Sequence, residues 1–218
     1  MLHAKLALYA ITHRLSDALP DQVEAALMGG ATAIQLRLKG ATSRELHTVA
    51  QRLLPVCRRH EALFVVNDRL DIALAVGADG VHLGPDDLPI EAARRIAPPG
   101  FVIGGSAGTI EAAREMVAQG ADYLGVGAVF NAHPSKANAS QPRGVEVIRR
   151  LHAEVDVPLV AIGGITAENA RSCVLAGAVG VAAIRAVFTS DGDRDEIMQS
   201  ARRLRRSLRD MADDVVVV

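Results

Sequence analysis

The polar side chains best suited to chemistry fall at the ends of short apolar runs. Gln35, Arg37 and Lys39 alternate with Leu36 and Leu38, and an extended backbone carries all three to one side. Two cations on such a comb can neutralise a polyphosphate, whereas either alone would ordinarily make a surface ion pair. Asn67-Asp68-Arg69 follows Phe64-Val65-Val66, and Asp86-Asp87 closely follows Gly80-Val81-His82-Leu83. Carboxylates of Asp68 and Asp87 delivered to one rim are hard oxygen ligands, and Mg²⁺ completed by substrate phosphate and water prefers such a set. Capping of a following helix is the competing role for each aspartate.

Two glycine pairs end apolar runs, Gly104-Gly105 before Ser106 and Gly163-Gly164 before Ile165-Thr166. At a helix N-terminus such a pair exposes backbone N–H groups that can hold a phosphate. Ile184-Arg185 follows another run into an expected helix start and adds a guanidinium able to bind phosphate bidentately. Two phosphate regions follow, one cationic beside the metal and one lined by amides. His82 inside its run has the ordinary role of a hydrogen-bonded structural histidine, and neither it nor His133 is assigned chemistry. The sequence has no Ser-His-Asp arrangement, metal-binding histidine pair or dinucleotide glycine motif after the first strand.

Positioning these groups requires a repeated scaffold. Gly29-Gly30-Ala31, Gly77-Ala78, Gly120-Ala121 and Gly177-Ala178 each close a helix-like stretch just before an apolar run: Ala33–Leu36, Gly80–Leu83, Tyr123–Val126 and Gly180–Ala183. Runs at Leu6–Thr12, Ala62–Asn67, Phe101–Ser106 and Pro158–Gly164 bring the strands to eight. Amphipathic stretches at Ser43–His60, Thr109–Gln119, Gly144–Glu154 and Thr166–Ala176 lie between them, with Ser43 and Thr166 expected as caps. Alternating strands and helices over 218 residues predict an α/β protein, a single (β/α)8 TIM barrel covering 1–218. Its active site belongs at the strand C-termini. The Pro-, Ser-, Asn- and Ala-rich interval Asn131–Arg143 is expected to be a mobile active-site loop.

Composition narrows the function. Hydrophobic residues make up 50% of the chain and aromatics only 3%, with no Trp, which predicts an aliphatic core of closely packed strands and helices. A formal net charge of −1 gives no general attraction to nucleic acid or membrane, so anion binding must come from local clusters. Cys57 and Cys173 are far apart without metal-ligand spacing and are expected to be buried thiols. With no leader-like segment and no long apolar run, a cytoplasmic protein is expected. Phosphorylated small molecules are the expected partners, and a homo-oligomer is compatible with the sequence. The arginines of the last helical stretch and Val215–Val218 receive no function.

The ordered set Gln35-x-Arg37-x-Lys39-Gly40, Asn67-Asp68-Arg69-x-Asp71-x-Ala73, Gly80-Val81-His82-Leu83-Gly84-x-Asp86-Asp87-Leu88-Pro89, Gly120-Ala121-Asp122-Tyr123-x-Gly125-x-Gly127 and Ala161-Ile162-Gly163-Gly164-Ile165-Thr166-x-Glu168-Asn169 resembles the thiamine phosphate synthases and the related TenI thiazole tautomerases. The resemblance covers nearly the whole chain. It implies a synthase in which hydroxyethylthiazole phosphate displaces pyrophosphate from aminopyrimidine methyl pyrophosphate. It further implies that Gln35, Arg37, Lys39 and Asn67 surround the pyrimidine and pyrophosphate, that Asp68 and Asp87 hold Mg²⁺, and that Ser106 lies by the reaction centre. Gly163, Gly164, Ile184 and Arg185 would receive the thiazole phosphate. Arg37, Lys39, Ser106 and Lys136 are the implied catalytic residues, with Ser135 beside Lys136 on substrate.

Several positions depart from that pattern. In Phe130-Asn131-Ala132-His133-Pro134-Ser135-Lys136-Ala137 only Ser135 and Lys136 match the family's threonine and lysine cluster, the usual His after Ser106 is Gly108, and a common Ser on the eighth strand is Arg185. A TenI-like tautomerase is the alternative, but the histidine proposed for that reaction is replaced by Ala128. A noncatalytic ligand-binding relative is the third reading, motivated by the altered sixth loop.

Overall fold

The computed structural model describes residues 2–130, 142–189 and 193–209. Ser135, Lys136, His133, most of the sixth loop and Val215–Val218 lie outside the described residues. After α1 (Leu2–Lys5), strands and helices alternate as β1 (Leu8–Ile11), α2 (Leu19–Met28), β2 (Ala33–Leu36), α3 (Ser43–Arg59), β3 (Leu63–Asn67), α4 (Leu70–Val76), β4 (Gly80–Leu83) and α5 (Ile90–Ile96). The second half continues as β5 (Val102–Ala107), α6 (Ile110–Ala118), β6 (Tyr123–Val126), α7 (Glu146–His152), β7 (Leu159–Ile162), α8 (Ala170–Leu175), β8 (Gly180–Ala183) and α9 (Arg194–Arg209). All eight strands pair in parallel in sequence order, and β8 returns to β1, so the sheet is a closed barrel.

Strand alternation divides the core in two. Ile34, Phe64, Val66, Val81, Leu124 and Val126 point outward and pack under the helices. Tyr9, Ile11, Ala33, Leu63, Val65, Tyr123, Val160 and Ala182 fill the barrel interior. Every strand thus buries both faces, as the aliphatic composition predicts. Cys57 and Cys173 are buried thiols, and burial pushes them up to about 12 and about 11, respectively.

Helix ends follow local chemistry, with some changes from expectation. Gly77 caps α4 at φ 70°, a left-handed conformation that suits a residue without Cβ. Gly29 instead answers to packing, since a Cβ there would sit 2.4 Å from the Met198 carbonyl oxygen on α9. The cap of α3 is Thr42 rather than Ser43: its hydroxyl accepts from the Glu45 backbone while the Glu45 carboxylate accepts from the Thr42 backbone. Thr166 is not a cap either. Its own N–H donates to Asn169 Oδ1 at 2.8 Å, and α8 begins only at Ala170.

At the N-terminal end of the barrel, three side chains hold amides at the first or second position of alternate strands. The N–H groups of Leu8, Phe64 and Ile103 donate to Thr32 Oγ1 (3.0 Å), Asp79 Oδ2 (2.7 Å) and Asp122 Oδ2 (2.7 Å). Asp122 also accepts from Arg94 at 2.6 Å, and Arg94 reaches the carbonyls of Gly120 and Phe101, which ties α5 to the barrel floor. Ile103 is fully buried, so Asp122→Ala would strand its amide. Urea unfolding should show a loss of about 1–3 kcal/mol, with metal and substrate affinity unchanged because Asp122 lies at the opposite end from the rim residues.

Candidate active site at the C-terminal rim of the barrel

The comb after β2 forms as the alternation requires. Ile34 and Leu36 join the outer core, and Leu38 follows them, while Gln35 is buried in the barrel with its amide Nε2 donating to Tyr9 Oη at 3.1 Å. Arg37 is held through its backbone, its N–H donating to the fully buried Thr12 Oγ1 at 2.9 Å. Burial lowers the Arg37 guanidinium pKa and the facing Asp68 charge opposes that shift. Lys39 is exposed at the rim and also acts on Asp68.

Asp68 and Asp87 come from neighbouring strand ends and meet within side-chain hydrogen-bonding contact. Neither caps a helix: Arg69 and Pro89 occupy the cap positions of α4 and α5, with no side-chain cap bond. Asp68 sits at φ 62° and donates its N–H to the His82 carbonyl at 2.8 Å, a backbone arrangement that turns its carboxylate out of the strand register. Asp87 Oδ2 accepts from Gly84 N–H at 2.7 Å. Burial, then contact with Asp87, push Asp68 up to about 6, while Arg37 and Lys39 pull it back. Two crowded carboxylates flanked by cations fit a divalent cation shared with a polyphosphate. Among the described residues no cluster of three or more His, Cys, Asp or Glu side chains could hold a metal, so further oxygens would have to come from substrate and water.

The remaining site residues divide between the two sides of the rim. Asn67 ends β3 opposite His82, and Ser106 projects from β5 with Oγ 2.8 Å from His82 Nε2. Gly104 and Gly105 lie within β5 and do not open a helix: a Cβ on Gly104 would overlap the Tyr123 ring, and one on Gly105 would meet Met116. Gly163 and Gly164 have φ 101° and 64° and lead into a turn before α8, not directly into a helix. The close approach of Ala128 leaves no room for a Cβ on Gly163. Ile184-Arg185 likewise opens a turn, with Phe188 N–H donating to the Ile184 carbonyl at 2.8 Å, instead of the expected helix start.

Two groups escaped the sequence reading. His13 and Arg14 follow β1 directly, and His13 is held below its usual value by burial and by Arg14, Arg185 and Arg37. Cations from the ends of three adjacent strands therefore act on one imidazole and disfavour its charged form. Their signal was available, because Thr12-His13-Arg14 ends an apolar run in the same way as the comb. The second is Arg143, whose guanidinium donates to the Gly108 carbonyl and occupies the space a Cβ at position 108 would need. The two ends of the sixth loop are joined by Arg143 N–H to the Ala128 carbonyl at 3.0 Å and Gly144 N–H to the Val129 carbonyl at 2.9 Å.

A closed parallel barrel with paired carboxylates, a cationic comb and a polar interior at its C-terminal rim defines a TIM-barrel enzyme built for phosphorylated small molecules. Comparison with known proteins supplies the particular family. The family described as thiamine monophosphate synthase matches residues 8–187. The chain is 46% identical over 207 residues to the thiamine-phosphate synthase of Coprothermobacter proteolyticus, covering 94% of this chain and 95% of that protein. It is 46% identical over 194 residues to the enzyme of the same name from Pyrococcus furiosus, covering 88% and 92%. The solved structure of thiamine phosphate pyrophosphorylase from Pyrococcus furiosus superposes with a TM-score of 0.86 at 41% identity, covering all of both chains. The chain belongs to the thiamine monophosphate synthase family.

The Asp68 environment predicts a pH-dependent stability difference. Its folded-state pKa of about 6 lies above the ordinary 3.8, so this group's contribution is fully present below the ordinary value and is lost as pH rises through about 6. Asp68→Asn removes the like charge and tolerates the left-handed backbone. In EDTA it should be more stable than the parent at about pH 8 by on the order of 1 kcal/mol after solvent screening. Urea unfolding at about pH 8 and about pH 3.5 should show the gain only at the higher pH.

Proposed function

We propose that this transferase joins aminopyrimidine methyl pyrophosphate to hydroxyethylthiazole phosphate, forming thiamine phosphate and releasing pyrophosphate, with Mg²⁺ held between Asp68 and Asp87. The observation that carries the site assignment is the contact of those two carboxylates beside Arg37 and Lys39. In this reaction the methylene carbon loses its bond to the pyrophosphate oxygen and gains one to the thiazole nitrogen. No protein nucleophile is needed. Bound Mg²⁺ would supply charge neutralisation to the pyrophosphate oxygens.

The chain's own groups divide the remaining work. Arg37, anchored by Thr12, offers a fixed guanidinium fork to the departing pyrophosphate, and Lys39 adds a compact charge at the rim. Gln35, Asn67 and Ser106 bind and orient the pyrimidine. Gly163, Gly164, Ile184 and Arg185 form the thiazole phosphate side, where Arg185 brings charge next to His13. Ser135 and Lys136 are assigned to substrate by resemblance and lie outside the described residues. Among the described residues no helix is long and apolar enough to cross a membrane. Self-association into a homo-oligomer is compatible with this chemistry and is not required by it.

Purified protein supplied with both substrates and Mg²⁺ should release thiamine phosphate and pyrophosphate in equal amounts, and EDTA should abolish the reaction until Mg²⁺ is restored. Asp68→Ala and Asp87→Ala should weaken Mg²⁺-dependent binding of the pyrophosphate substrate in calorimetry. Arg37→Ala or Lys39→Ala should cost roughly 2–4 kcal/mol of transition-state stabilisation in kcat/KM, leaving thiazole phosphate affinity unchanged. Turnover insensitive to EDTA would remove the metal from the proposal, and wild-type turnover in both cation variants would return Arg37 and Lys39 to surface ion pairing.

A further inference from the structure

The barrel interior contains a polar chain whose three middle members, Tyr9, Tyr123 and His82, the resemblance does not assign. Gln35 Nε2 donates to Tyr9 Oη at 3.1 Å, Tyr9 Oη lies 2.9 Å from Tyr123 Oη, and Tyr123 Oη lies 3.0 Å from His82 Nδ1. His82 Nε2 then lies 2.8 Å from Ser106 Oγ. The chain runs from one substrate-side residue to another through the only two tyrosines of the sequence. Both tyrosines are buried, with 1% and 0% exposure, and burial raises both phenols far above their ordinary range. They therefore stay protonated and serve as neutral donors and acceptors.

Space for this chain is reserved by glycine. A Cβ at Gly104 on β5 would fall 2.1 Å from the Tyr123 ring, and one at Gly125 on β6 would fall 3.3 Å from His82 Cε1. Register puts both glycines beside the groups they accommodate, with Gly104 opposite both His82 and Tyr123 and Gly125 opposite Ser106. Two phenols in an apolar interior carry a desolvation cost that aliphatic side chains would avoid. A continuous set of hydrogen bonds offsets that cost only when each hydroxyl donates in one consistent direction.

With Gln35 Nε2 as the first donor, that direction is determined at each step. Tyr9 accepts from Gln35 and donates to Tyr123. Tyr123 then donates to His82 Nδ1, so the imidazole carries its proton on Nε2 and donates to Ser106 Oγ. The serine hydroxyl hydrogen remains to donate toward the barrel mouth, and Gln35 Oε1 remains to accept. Reversal would require the Gln35 amide to turn over and would commit the serine hydrogen to His82.

We propose that His82 is a positioning residue, fixed by the Tyr9–Tyr123 pair as its Nε2–H tautomer, which makes Ser106 a hydrogen-bond donor to the substrate while Gln35 is fixed as an acceptor. A ring bearing both an amino donor and a nitrogen acceptor meets that complementary pair. The substrate part of this inference rests on the synthase assignment.

Histidine 15N spectra of the ligand-free full chain, with His82 assigned by H82Q, read the tautomer without any substrate. The expected wild-type spectrum has a protonated Nε2 and an unprotonated Nδ1. Tyr123→Phe should introduce the Nδ1–H form and lower kcat by about ten- to a hundredfold through misplacement of Ser106, with a much smaller change in KM. Tyr9→Phe should give a lesser shift in the same direction. A wild-type His82 protonated on Nδ1, or exchanging between both forms, overturns the proposal even if the tyrosine variants do not fold. A folded Tyr123→Phe enzyme with wild-type kcat overturns the positioning role. A wild-type protein that shows the expected tautomer but forms no thiamine phosphate overturns the substrate assignment alone.

Discussion

Every rim residue depends on the seam where β8 returns to β1. Val181 N–H donates to the Ala7 carbonyl at 3.1 Å, and Gly180 approaches so closely that a Cβ would fall 2.2 Å from the Leu6 carbonyl oxygen. Parallel pairing sends all eight strand C-termini to one end, and this approach permits the closure that gathers them into one ring. Residues as distant in sequence as Arg37 and Arg185 can then act on the same His13 imidazole. An open sheet would place β1 and β8 on opposite edges and separate those charges.

Closure also concentrates unfavourable electrostatics. Asp68 and Asp87 are held in contact although the Asp87 charge disfavours ionisation of Asp68. Arg37 and Lys39 compensate in part, yet Asp68 still rests well above its ordinary value. The fold stores this repulsion at the rim while its opposite end is fastened by backbone N–H groups donating to Thr32, Asp79 and Asp122. Stability is thereby built at the N-terminal end, leaving the C-terminal end to bind charge.

Inside the barrel, the polar chain links groups on five strands. Gln35 on β2, Tyr9 on β1, Tyr123 on β6, His82 on β4 and Ser106 on β5 form one hydrogen-bonded series. In a low-dielectric interior each bond polarises the next. The hydrogen-bond character offered by Gln35 is consequently tied to that offered by Ser106 across the barrel.

Much of the scaffold was legible because its signals are local. Eight apolar runs, four of them preceded by Gly-Ala turns, marked the strands, and two-residue alternation placed Gln35, Arg37 and Lys39 on one side while Leu36 and Leu38 faced the helices. The convergence of Asp68 and Asp87 followed from adjacent strands ending in carboxylates. Cap assignment at Ser43 and Thr166 failed because several nearby oxygens compete, and backbone geometry selected Thr42 in one case and delayed the helix to Ala170 in the other. His82 was legible as a hydrogen-bonded histidine but not its partners, because Tyr123 is 41 residues away and Tyr9 and Tyr123 are separated by 114. Sequence by itself determined which faces were apolar and which strand ends carried charge, since both depend on residue type and a two-residue period. Only tertiary structure decided which polar groups touch inside the barrel, because those contacts exist only after strands distant in sequence have closed around one axis.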